Sequence, residues 1–213
     1  VAFVMTFFNV RLGWWLPNPR SKSLPVWAKG EPPLGLQSLI AEVGASATAE
    51  HDFVYLSDGG HFENLGLYEM VRRKCKHIVV IDASCDSDFV YEDLQSAIRK
   101  IRIDFRIPIV FDQKLPTKDD KLGDRLEWKR RLRTAVIYYE AVDNAASQGT
   151  LYYVKPLLVG DEPLDIEKYA EANRKGGSAF PHQSTGDQFF DEAQFESYRL
   201  LGQHTILKDF PSN

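Results

Sequence analysis

The chain has 213 residues, of which 44% are hydrophobic and 26% charged, proportions that suit a globular protein with a sizeable core and exclude a disordered chain. A net charge of −4 supplies no bulk attraction to a polyanion, so nucleic acid is not an expected partner. The two cysteines, Cys75 and Cys85, match no C-x-x-C metal or redox pattern and suit a reducing compartment.

Val1 to Val10 is an apolar run broken only by Thr6 and Asn9. A membrane-crossing helix needs about 20 apolar residues, so the run is too short to span. It also lacks the basic start and cleavage pattern of a signal peptide. A chain that opens on Val and is apolar from its first residue reads as an internal cut of a longer polypeptide. The motif Arg11-Leu-Gly-Trp-Trp15 follows, and its paired tryptophans are expected to anchor a loop on the core; contact with lipid is the sharper alternative. Pro17, Pro19, Pro25, Pro32 and Pro33 then predict extended, turn-rich structure over 16–33.

The centre is the most regular stretch. Phe53–Ser57 is β-prone and runs into Asp58-Gly59-Gly60. Phe62, Leu65, Tyr68, Val71 and Cys75 recur at helical spacing, with Arg72, Arg73, Lys74 and Lys76 complementing the dipole at the end. His77–Ile81 is a continuous apolar run of the kind buried on both faces of a sheet, and it ends at Asp82. Together these predict a β–turn–α–β unit. Asp86, Ser87 and Asp88 offer capping side chains before a second helix lined by Val90, Leu94, Ala97, Ile98, Ile101 and Phe105. Ile107–Phe111 reads as a further strand.

Residues 114–133 are highly charged, with Lys129, Arg130, Arg131 and Arg133 clustered at the end. A solvated loop is the plain reading, and a basic rim that attracts anionic headgroups the sharper one. Runs at 134–142 and 150–154 predict an antiparallel hairpin. A short helix is expected over 165–173, a loop over 174–186 and a terminal helix over 187–201, opened by Thr185 and Gln188 and stopped by Gly202. The fold class expected is α/β, a mainly parallel sheet with flanking helices plus an antiparallel hairpin.

Asp58 is the strongest chemical candidate. Ligands of open α/β sheets collect beyond the carboxyl ends of strands, and the two glycines let another group approach a carboxylate placed there. The plainer role for Asp58 is to cap the turn that follows. Ser57-Asp58-Gly59-Gly60-His61-Phe62-Glu63-Asn64-Leu65-Gly66-Leu67-Tyr68 and the strand to Asp82 resemble the D-[GS]-G segment of the patatin-like and cytosolic phospholipase A superfamily. Gly66 departs from that pattern, which has proline there. Arg11–Trp15 and Phe180-Pro-His-Gln-Ser-Thr185 through Asp187–Phe190 also resemble the tail of large bacterial patatin-like proteins, some of them membrane-associated.

The resemblance implies a lipid acyl hydrolase of phospholipase A or lysophospholipase type that needs no cofactor and acts in the cytoplasm or at a membrane. A serine in G-x-S-x-G attacks an acyl ester, and the aspartate accepts its proton. Asp58 would be that base, Gly59, Gly60 and His61 would shape its turn, and Asn64 would help start the next helix. The nearest serine string, Gly44-Ala-Ser-Ala-Thr48, lacks the second glycine, so Ser46 takes no role. All 213 residues are therefore expected to be the C-terminal portion of one catalytic domain. Its partners would be a lipid or acyl-ester substrate, a membrane surface, and an N-terminal part carrying the nucleophile; alone the chain should be inactive.

Two other readings compete. One is a metal-dependent hydrolase built on Asp58, His61 and Glu63. The other is a lipid-binding or assembly domain that keeps the fold without a nucleophile. Calcium at Asp82, Asp86 and Asp88 is a lesser alternative to helix capping by the same residues. His182 sits in a loop that the resemblance places near the mouth of the site, with no role assigned.

Overall fold

The computed structural model describes residues 13–21, 48, 50–115, 130–174 and 179–210. The apolar run at 1–10, Arg11, Pro25, Pro32, Pro33, Ser46 and Lys129 lie outside the described residues. The chain divides into two compact units, Val1–Asn64 and Leu65–Asn213.

In the first unit, strand β1 (Gly13–Pro17) pairs antiparallel with β2 (Phe53–Ser57), with Trp15 opposite Tyr55. Because side chains alternate along a strand, the adjacent tryptophans part company. Trp15 is 6% exposed and lies 5.6 Å from the Tyr55 ring, whereas Trp14 is 66% exposed. Only one of the two is an anchor. Glycine is required at position 13, where a Cβ would stand 2.2 Å from the Leu56 carbonyl oxygen. The expected β–turn–α–β unit is corrected here: β2 takes β1 as its partner and does not join the sheet that contains His77–Ile81.

The second unit is mixed α/β. Helix α1 (Leu67–Arg72) leads to β3 (His77–Ile81), α2 (Glu92–Phe105), β4 (Ile109–Phe111), β5 (Leu132–Ile137) and β6 (Gly149–Val154), followed by α3 (Leu164–Ala172) and α4 (Glu192–Asp209). The sheet order is β3-β6-β5-β4. Only β3 and β6 are parallel; β5 runs antiparallel to both of its neighbours. The mainly parallel sheet expected from the sequence is therefore a mixed one. The expected hairpin does form, with Leu132 opposite Val154 and Ile137 opposite Gly149. Its two strands are close in sequence, which favours antiparallel pairing, and the pair sits between β3 and β4.

The core lies between one face of this sheet and α1 and α2. Ile78 and Val80 of β3, Leu151 and Tyr153 of β6, and Ala135 and Ile137 of β5 meet Leu67, Val71, Leu94, Ala97 and Ile101. β3 is an edge strand with alternating burial, leaving Val79 52% and Ile81 65% exposed. The both-faces burial predicted for it holds on one face only. Helix α1 is shorter than its periodicity suggested, since Phe62 is exposed and the helix begins after Gly66. Gly66 has φ +69°, a left-handed conformation that the ring of proline forbids.

Helix α3 lies almost where expected. Helix α4 starts later than expected, with the Asp191 carboxylate accepting from Gln194 N at 2.7 Å, and it continues through Gly202. A Cβ at Gly202 would meet nothing within 4 Å. Gly202→Ala should therefore stabilise the protein by about 0.5–1 kcal/mol through lower unfolded-chain entropy; a melting curve that shifts downward would count against this helix boundary. Among the described residues, no helix is long and apolar enough to cross a membrane.

Candidate functional site

Asp58 directly follows β2 and caps a 3-10 turn over Gly59–His61. Its Oδ1 accepts from the Gly60 amide at 2.8 Å, and its backbone carbonyl accepts from His61 N at 3.2 Å. The side chain is exposed, and no described residue donates to Oδ2. One carboxylate oxygen is pinned, while the other has no partner among the described residues. That arrangement can orient a base without filling its proton-accepting position.

His61 braces the turn rather than extending the carboxylate. Its Nδ1 lies 3.1 Å from the Asp58 carbonyl oxygen and 3.0 Å from Ser57 Oγ. A carbonyl only accepts, so Nδ1 carries the proton and Nε2 is the acceptor atom of the neutral ring. Glu63 N and Phe62 N both donate to the Gly59 carbonyl at 2.9 Å, which closes the turn. The metal reading needs Asp58, His61 and Glu63 to converge. Among the described residues, no three His, Cys, Asp or Glu side chains form a group able to hold a metal ion.

The two glycines differ. A Cβ at Gly59 would meet open space, whereas one at Gly60 would stand 2.5 Å from Asn64 Oδ1 and 3.3 Å from Asp58 Oδ1. Gly60 therefore lets Asn64 close over the turn. Gly60→Ala should force the Asn64 amide to rotate, costing about 1 kcal/mol, while Gly59→Ala should change stability by less than about 0.5 kcal/mol. Chemical denaturation of the two variants tests this, and equal stabilities would remove the packing role given to Asn64. A cleft of about 400 Å³ opens beside β2, lined in part by Val54, Tyr55 and Leu56; Asp58 is not among its lining residues.

The second unit holds a buried polar cluster where β3 and β6 end. Asp82 is 1% exposed and accepts from Ser84 N at 3.1 Å, from Ser84 Oγ at 2.6 Å and from the Tyr153 hydroxyl. Lys155 Nζ bridges it to Asp86, at 3.2 and 3.3 Å. Burial alone would raise the Asp82 pKa, but the Ser84 and Tyr153 hydrogen bonds and the Lys155 charge outweigh it and hold the carboxyl below its ordinary value. The Tyr153 hydroxyl is pushed far up, first by burial and then by Asp82. Asp82 was expected to cap the following helix or bind calcium. It is instead a buried carboxylate committed to three side chains. Asp86 does not cap the helix either: it accepts from Val90 N at 2.7 Å and Tyr91 N at 3.0 Å in the preceding turn, and the N-cap position, Tyr91, has no side-chain cap.

His182 lies beside this cluster. It is 7% exposed, and both of its ring nitrogens are buried without a hydrogen-bond partner among the described residues. The Cys85 thiol donates to its carbonyl at 3.0 Å, and Phe89 meets its ring edge-on at 5.2 Å. Burial, then the Lys155 charge, lowers its pKa. Nothing in the local pattern marks Tyr153 or Lys155 as a partner of Asp82, because Tyr153 lies on a strand whose apolar pattern reads simply as core and Lys155 directly follows that strand. No family model matches the chain, and no curated protein or solved structure matches it.

Proposed function

We propose that this chain supplies the aspartate of a Ser–Asp lipid acyl hydrolase related to the patatin-like phospholipases. The observation that carries the reading is Asp58: an exposed carboxylate fixed through Oδ1 by the Gly60 amide, with no partner for Oδ2 among the described residues. The serine comes from polypeptide outside this sequence. In the reaction its hydroxyl loses a proton to Asp58 as the oxygen attacks the ester carbonyl. The proton then passes to the leaving alcohol, and water repeats the exchange to release the fatty acid. A dyad of this kind needs the serine oxygen within about 2.6–3.2 Å of the carboxylate. Gly59 leaves open space beside the acid for that approach.

The roles divide among the surrounding residues. Gly60 orients the carboxylate, His61 braces the turn through the Asp58 carbonyl, and Asn64 closes over Gly60. The experiment is an assay of the protein that contains this chain, using p-nitrophenyl acyl esters and a phospholipid. Turnover that disappears when the serine of an upstream G-x-S-x-G is replaced supports the hydrolase. An upstream segment with alanine at that position, and no turnover, would instead support a lipid-binding domain on the same fold.

A further inference from the structure

We infer that the second unit carries a binding site for a phosphate-bearing ligand in the cleft where β5 begins and α4 ends. The cleft has a volume of about 440 Å³ and is lined by Arg130, Arg133, Lys208, Gln113, Thr134 and Asp209, together with Leu132 and Phe210. That volume lies in the range of small-ligand sites. The inference does not depend on Asp58, which belongs to the other unit.

Charge balance points to the ligand class. Among the described residues, two exposed cations, Arg130 and Lys208, line the cleft beside the sheltered Arg133 and the carboxylate of Asp209. That carboxylate is already engaged by Arg131, at 3.3 Å from its backbone N and 3.5 Å from Nη1. A dianion matches the two exposed cations, and a phosphate ester carries nearly that charge at neutral pH. Arg133 is only 6% exposed and reaches Gln113 Oε1 from Nη1 at 3.4 Å. A guanidinium held in so sheltered a position acts on a neighbouring anion with less screening than one in open water.

β4 ends at Phe111, and the residues just beyond it still flank β5, with Asp112 N donating to the Thr134 carbonyl at 3.1 Å. Arg130 and Lys208 are exposed at the mouth of the cleft. Leu132 and Phe210 add apolar surface, with Phe210 held 5.7 Å from the Tyr152 ring. A phosphate with an apolar body attached therefore fits better than bare phosphate. Thr134 Oγ1 donates to Asp112 at 2.6 Å and so contributes only acceptor capacity. Two sources share this chemistry, the phosphate of a lipid headgroup and that of a soluble phosphomonoester.

The test uses the full chain at low salt. Inorganic phosphate is titrated calorimetrically, and phosphatidylcholine vesicles with and without phosphatidic acid are co-sedimented. Binding by either route is expected, and the double variant Arg130→Ala/Lys208→Ala should lose about tenfold in affinity. Both positions are exposed, so the variant should fold, which circular dichroism verifies. Arg99→Ala/Arg102→Ala, an exposed pair on α2, should bind like the parent. Binding of phosphatidic acid vesicles alone assigns the site to a lipid phosphate, and binding of inorganic phosphate alone assigns it to a soluble ester. Phosphate that displaces the vesicles shows one site serving both. No binding by either route, an undiminished Arg130→Ala/Lys208→Ala variant, or an equal loss in the α2 pair would overturn the site.

Discussion

Arg131→Ala should lower the stability of the protein by about 3–5 kcal/mol, because it leaves the buried Glu162 carboxylate without its counter-charge. The Arg131 side chain is fully buried, and its Nη2 lies 2.5 Å from Asp161 Oδ1 and 2.6 Å from Glu162 Oε1. Its Nε donates to the Leu157 carbonyl at 2.9 Å. Glu162 is itself only 5% exposed. It would keep the amides of Val159 and Gly160 but lose the cation. Native domains are stable by only about 5–15 kcal/mol, so the variant sits close to unfolding.

The same network sets the acid limit. Burial would raise the pKa values of Asp161 and Glu162, yet the bonds they accept, from Arg131 in both cases and from Val159 N at Glu162, hold both below their ordinary values. A carboxyl whose folded pKa is depressed stabilises the fold above its unfolded value of about 4 and loses that contribution as pH falls below it. The wild-type protein should therefore keep full stability down to about pH 5 and lose it progressively below. Arg131→Ala starts from a lower stability at neutral pH and should lose less of it on acidification, because its carboxyls no longer have that depression of pKa to lose. Urea denaturation across a pH series reads both effects; identical midpoints for the two proteins would show that the network contributes nothing.

Asp58→Asn should reduce ester hydrolysis by about 10²–10⁴-fold, the usual contribution of a general base. The substitution is chosen for what it preserves. The asparagine carbonyl oxygen still accepts from the Gly60 amide, so the 3-10 turn over Gly59–His61 keeps its cap. Only the basic oxygen is lost. A hydroxyl that depended on it would stay protonated and attack slowly. Because Asp58 is exposed and pairs with no cation among the described residues, its neutral replacement should leave stability within about 0.5 kcal/mol of the parent.

Much of the second unit was legible from periodicity alone. Ile78 and Val80, Leu94, Ala97 and Ile101, and the paired runs of β5 and β6 all occupy the faces that their spacing implied. Strand order was not legible, because an apolar run identifies a strand without naming its neighbours. The hairpin therefore entered between β3 and β4 unannounced. β2 was misassigned for the same reason. Its partner lies in the Gly13–Pro17 segment, whose tryptophans read as a loop anchor.

Buried charge was the other blind spot. Arg131 and Arg133 read as part of a solvated basic run, yet they are 2% and 6% exposed. Lys155 pairs with Asp82 across 73 residues of sequence, a distance that no local pattern spans. Such groups are inside because particular partners meet them there, and partners are a tertiary property. At Asp58 the situation reverses. Its cap and its turn are set locally and were readable, whereas its expected place at the end of a strand of the α/β sheet was not met, because β2 lies outside the four-stranded sheet.

The most direct measurement follows acylation in a single turnover, using the protein that contains both this chain and its serine. Release of p-nitrophenol from an acyl ester is timed for the parent and for Asp58→Asn at equal folded concentration. A burst slowed by at least about a hundredfold in the variant, with an unchanged melting temperature, is the expected result. Bursts of equal rate would mean that some other group takes the proton, and the role given to this carboxylate would be wrong.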